Sequence, residues 1–183
     1  MASIDRIIGV ANGLIAKYAT RNPYELCEAL GVRIRLKDLG PDIKAYYFYH
    51  SRIRNIILNT RMPETMRRIL AAHELGHDQL HLETAMLKGF HETKLFDAVI
   101  PTEYEANIFA AEILIGDSEL LELLSEEGKS YFDVAKELCI LAPLLDFKLR
   151  ILKYKGYDIQ APYAANGNFL KDSVGDCYNE EYG

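Results

Sequence analysis

The apolar positions of the chain change period twice. From Ile4 to Tyr18 they recur at three and four residues (Ile4, Ile7, Ile8, Ala11, Leu14, Ile15, Tyr18), which predicts an amphipathic helix starting at about Ser3. Asn22-Pro23 then offers an N-cap followed by proline in a first helical turn, and Gly31 closes a short second helix. The period drops to two in Val32-Arg33-Ile34-Arg35-Leu36, and β-branched and aromatic residues dominate Ile43 to Tyr49 and Ile53 to Leu58. Three strands are predicted, with turns at Gly40-Pro41-Asp42 and His50-Ser51-Arg52. Two hairpin-like connections of this length imply a small, largely antiparallel sheet.

The helical period returns at Pro63 and runs to about Leu82, with Glu64 near the positive end of the helix dipole. A looser stretch follows from Glu83 to Pro101. Further helices are predicted at Thr102 to Ile115, Asp117 to Leu124, Ser130 to Ile140 and Pro143 to Tyr154. Asp117 and Ser130 are candidate N-caps, and Gly128 and Gly156 candidate stops. From residue 157 to 183 Gly, Asn, Asp and Tyr dominate and no apolar stripe survives, so this stretch reads as a tail to which no structure is assigned. Strands grouped early and helices grouped late make the fold α+β, with one domain over residues 1–156.

Composition narrows the function classes. The chain has 183 residues, 27 acidic against 21 basic side chains and a formal net charge of −6, which argues against broad binding to a phosphate backbone. No direct nucleic-acid partner is expected. Cys27, Cys139 and Cys177 are widely spaced and odd in number, so neither a disulfide framework nor a thiolate zinc cluster is indicated. No apolar run reaches the roughly 18 residues of a membrane span. The uncharged run from Ile7 to Ala16 lacks a positive leader, since Asp5 and Arg6 cancel, and the expected location is cytoplasmic.

The chemistry lies in His73-Glu74-Leu75-Gly76-His77, in the middle of the Pro63 helix. At about 100° per residue, His73 and His77 sit one turn apart and about 40° around the axis, so both imidazoles can reach one cation. Glu74 is offset from His73 by about 100°, beside such an ion rather than on it, where a carboxylate can take a proton from water. His73 and His77 are therefore candidate zinc ligands and Glu74 a candidate general base. A catalytic zinc wants a third protein ligand. The longer motif with a third histidine is absent, because Leu80 stands at its glycine position and Glu83 at its last position. Glu83 is a weak candidate. His81 shares the helix face but lies about two turns from His73, and reads as a polar histidine near a helix C-terminus.

The helix from Thr102 offers better donors. Glu103, Ala106, Asn107 and Ala110 share one stripe, and the alanines permit close approach to another helix. Glu103 is the favoured third ligand and Glu105, on a different stripe, its rival. Asn107 is placed to accept the second N–H of a ligating histidine and so fix its tautomer. Tyr46, Tyr47, Tyr49 and His50 are candidate oxyanion donors near the sheet, and Ile53 to Leu58 a candidate edge for an extended substrate.

Arg67-Arg68-Ile69-Leu70-Ala71-Ala72-His73-Glu74-Leu75-Gly76-His77 with His81, then Glu103-x-Glu105-Ala106-Asn107-x-Phe109-Ala110-Ala111, resembles the ImmA/IrrE family of zincin-like metallo-endopeptidases. Ile56-Ile57-Leu58-Asn59 resembles it as well, and the likeness spans about residues 20 to 155. The resemblance implies a zincin-like α+β fold, a zinc held by two histidines and a glutamate, and a general-base glutamate. It also implies a protein substrate, a helix-turn-helix transcriptional repressor whose cleavage relieves repression on a mobile element, on a prophage or in a stress response. The chain departs from the family at Gly116, where Met-Pro often ends the helix, and the residues before the second helix are too few for a helix-turn-helix domain of its own. The competing reading is a metal-dependent module that sequesters a repressor without cutting it.

Overall fold

The structure is a computed structural model that describes residues 2–83, 90–92 and 100–159. Its elements follow the sequence pattern closely: α1 (Ile4–Tyr18), α2 (Pro23–Leu30), β1 (Arg33–Lys37), β2 (Ala45–His50), β3 (Ile53–Asn59), α3 (Glu64–Leu80), β4 (Phe90–Glu92), α4 (Pro101–Leu114), α5 (Asp117–Ser125), α6 (Tyr131–Glu137) and α7 (Ala142–Tyr154). The class is α+β, as expected. The chain falls into two compact units, divided between Leu114 and Ile115. Most of the looser stretch after Glu83, and the tail beyond residue 159, lie outside the described residues.

In the first unit the sheet has the order β1-β3-β2-β4. β2 and β3 form an antiparallel hairpin, with His50 opposite Ile53. Its two-residue turn holds Ser51 and Arg52 at φ of 51° and 64°, the paired positive dihedrals that match the twist of two adjoining strands. The connection through Gly40-Pro41-Asp42, expected to be hairpin-like, is not one: β1 lies on the other side of β3 and runs parallel to it. The reason is burial. β3 carries the apolar run Ile56-Ile57-Leu58 and takes the centre, whereas β1 alternates with Arg33, Arg35 and Lys37 and stays almost wholly exposed, as an edge strand can. β3 is thereby paired on both sides, so the expected substrate edge at Ile53 to Leu58 does not exist. Asn59, fully buried, ties the crossing together: its Nδ2 donates to the carbonyls of Gly40 and Ile43, each at 2.7 Å.

α3 packs between the sheet and α4, and α1 packs on α4. Every residue of α3 from Ile69 to Asp78 is buried, as is every residue of α4 from Glu105 to Leu114. A helix buried on all sides while carrying His, Glu, Asp and Asn must find partners for each polar group within the protein. The two axes approach closely at Gly76. A Cβ there would lie 3.1 Å from Ala106 Cα and 3.2 Å from Phe109 Cδ1, so glycine on one helix and alanine on the other set the spacing. α1 and the turn after it hold α4 from outside: Asn12 Nδ2 donates to Glu112 Oε1 at 2.9 Å, and Arg21 donates to the carbonyl of Glu112 at 2.7 Å at the negative end of that helix.

The second unit is helical over its described residues. Ser130 caps α6 with a reciprocal bond to Asp133. Asp117 is the first residue of α5 rather than its cap, which is Gly116. Its carboxylate instead meets Lys148 of α7, fully buried, at 2.5 Å and Lys155, which caps the end of α7, at 2.7 Å.

Candidate metal centre

The α3–α4 contact brings four of the five predicted site residues into direct contact. His73 Nε2 and His77 Nε2 lie 3.1 Å apart, and Glu103 Oε2 is 3.2 Å from the first and 3.5 Å from the second. Two of these residues come from successive turns of α3 and the third from the first turn of α4. Asn107, one turn beyond Glu103, sets its Oδ1 3.0 Å from His73 Nδ1. An amide oxygen only accepts, so the Nδ1 of His73 carries the proton and its Nε2 presents a lone pair. Glu74 is fully buried on the same helix.

The donor set fits a small divalent cation. Ligands about 2.0–2.1 Å from a tetrahedral zinc stand roughly 3.3–3.4 Å from one another, and the observed separations of 3.1, 3.2 and 3.5 Å bracket that edge. Two imidazoles and a carboxylate are also the ligand types that suit zinc. Burial pushes the His77 imidazole down to about 4, so it stays neutral and able to donate its lone pair near neutral pH.

The rival ligands go elsewhere. Glu105 does not join the cluster: its Oε2 lies 2.9 Å from His81 Nε2, and its Oε1 accepts from the Ala2 N–H at 2.6 Å. Glu83 is exposed. His81 is the C-cap of α3, at the helix end as expected, and is buried with its Nδ1 3.1 Å from His77 Nδ1. Sequence spacing pointed to His81 only as a third member of an i, i+4 series. Its bond to a side chain 24 residues away had no local signal. The sequence signal for the close approach is Gly76 itself, a glycine in a helix interior beside His77. Among the candidate oxyanion donors, Tyr47 is fully buried and donates to Asp78 Oδ1 at 2.8 Å, on the sheet side of α3.

His73, His77 and Glu103 thus form a candidate metal site carried by two helices of an α+β scaffold. The profile of the IrrE N-terminal-like domain, a peptidase family, matches residues 27–150, and the chain belongs to that family. It is 39% identical over 106 residues to the uncharacterized immunity region protein 2 of Bacillus phage phi105, a match covering 57% of this chain and 65% of that protein. It is 26% identical over 137 residues to the metallopeptidase ImmA of Bacillus subtilis (strain 168), covering 74% and 79% respectively. The chain thus spans just under two thirds of the length of the phage relative. Among the described residues, no helix is long and apolar enough to cross a membrane.

Proposed function

We propose that the protein is a zinc-dependent endopeptidase that cleaves a helix-turn-helix transcriptional repressor. The observation that carries the reading is the convergence of His73 Nε2, His77 Nε2 and Glu103 Oε2 within 3.5 Å of one another. A carboxylate oxygen and two imidazole lone pairs this close repel one another unless a cation lies among them. In this reading His73, His77 and Glu103 hold the zinc, Asn107 orients His73, and Glu74 is the general base. Bound zinc supplies Lewis-acid polarisation of the scissile carbonyl and makes water acidic enough to ionise near neutral pH. Glu74 takes the proton of the attacking water and returns it to the leaving nitrogen.

The names of the two relatives, a metallopeptidase and a phage immunity region protein, support a peptidase acting in the immunity of a mobile element. The net charge of −6 complements a basic DNA-binding substrate. The test is to mix the zinc-loaded chain with the helix-turn-helix repressor encoded beside its gene and measure fragment masses. Cleavage by the wild type, with a loss of about 10²–10⁴ in rate for Glu74→Gln at unchanged zinc content, is the expected result. An intact repressor held in a one-to-one complex would replace the enzyme by a sequestering module.

A further inference from the structure

The two imidazoles of the metal point are held from behind by different devices. His73 faces an amide oxygen, that of Asn107. His77 faces another imidazole, His81, which itself faces a carboxylate, Glu105. We propose that Glu105 and His81 form a relay of positioning residues that fixes His77 in the tautomer able to bind metal. The inference rests on the metal-centre reading above.

The proton assignment follows link by link. Glu105 is 3% exposed and offers only acceptors. Its Oε1 takes the Ala2 N–H at 2.6 Å, so the carboxylate is anchored on one side and turned with its other oxygen to His81. At 2.9 Å from Glu105 Oε2, the Nε2 of His81 is the donor. A neutral imidazole protonated at Nε2 has its lone pair at Nδ1, and that atom lies 3.1 Å from His77 Nδ1. His77 Nδ1 therefore donates, and its lone pair falls on Nε2, the nitrogen 3.1 Å from His73 Nε2. Reversing the proton of His81 would put N–H against N–H at His77 and a lone pair against the carboxylate of Glu105, and reversing that of His77 would put two lone pairs face to face. The opposite tautomer of His77 would also place a hydrogen where the ion belongs. A ligating imidazole whose second nitrogen gives its proton to a polarised acceptor is a stronger donor and cannot swing away, an effect typically worth about 10–100-fold in metal affinity.

The relay is tested on the full chain by nitrogen-15 NMR of the metal-free protein and by zinc affinity in competition with a chromophoric chelator. The wild type is expected to show His77 protonated at Nδ1. His81→Leu and Glu105→Gln are expected to weaken zinc binding about 10–100-fold while remaining folded, with His77 losing its single tautomer in the first. His81→Gln, which returns a carbonyl oxygen facing His77, is expected to recover most of the affinity. His77 protonated at Nε2 in the wild type would overturn the relay, even if the leucine variant failed to fold. So would wild-type zinc affinity in both the leucine and glutamine variants. His77→Ala separates the two readings: if it binds zinc as the wild type does, the metal centre itself is misassigned. If it loses zinc while the His81 and Glu105 variants keep it, only the relay falls.

Discussion

α3 is flanked by two clusters of buried polar side chains, and they solve opposite problems. On the sheet side Asp78 is met by Tyr47 at 2.8 Å and Arg54 at 3.1 Å, while Arg54 also reaches the carbonyl of Leu30 at the end of α2. Acceptor, donor and cation are all supplied by the protein. On the α4 side His73, His77 and Glu103 aim lone pairs at one another and are backed by further acceptors, Asn107 and Glu105. One cluster is closed in charge and hydrogen bonding, and the other gathers the donor atoms of the proposed cation site. Buried polarity alone does not mark a functional site; the sign of what is left over does.

Removing the cation from the closed cluster gives the largest expected effect. Arg54→Leu leaves Asp78 buried without its positive partner and is expected to cost about 3 kcal/mol in denaturant unfolding, with zinc affinity of the folded protein unchanged. A matching loss of zinc would show that the two clusters are one. Next comes pH. Folded His77 takes its proton only near about 4, whereas the unfolded imidazole takes it near 6.5. The unfolded state binds more protons across that window, so His77 contributes stability above it that is lost as the pH falls through it. The metal-free protein is expected to lose up to about 3 kcal/mol between pH 6.5 and 4, measured by unfolding at each pH. His77→Ala should flatten that slope.

Gly76→Ala comes third. Helix propensity favours alanine by about 0.8–1 kcal/mol, but its methyl would meet the backbone of Ala106 at 3.1 Å. The expected outcome is a small net loss of stability, about 1 kcal/mol, with zinc affinity down about tenfold as Glu103 and Asn107 move off. Unchanged affinity would mean that the helix spacing does not set the metal geometry. The smallest effect concerns Cys27, buried beside the closed cluster, whose thiol burial pushes up to about 12. A thiol-reactive probe is expected to label exposed Cys139 promptly and Cys27 only on unfolding.

What the sequence made legible was local. The 3.6 period placed α3 and α4 within a residue or two, and a four-residue spacing put His73 and His77 on one face. The stripe of Glu103, Ala106, Asn107 and Ala110 carried enough chemistry to favour Glu103 over Glu105, and the structure brings Glu103 to both histidines. What escaped was non-local. The side of β3 on which β1 lies depends on which strand needs most burial, a comparison among three segments rather than a property of one turn. The pairing of His81 with Glu105 depends on the crossing of two helices, and that crossing depends on one glycine.

The profile match starts at residue 27, yet α1 ends at Tyr18 and reaches α4 through Asn12, while Ala2 ahead of it bonds Glu105. The amino-terminal helix is thus a splint on the far side of the helix that bears Glu103. A fragment cut where the homology begins would keep His73, His77 and Glu103 and lose the brace behind one of them.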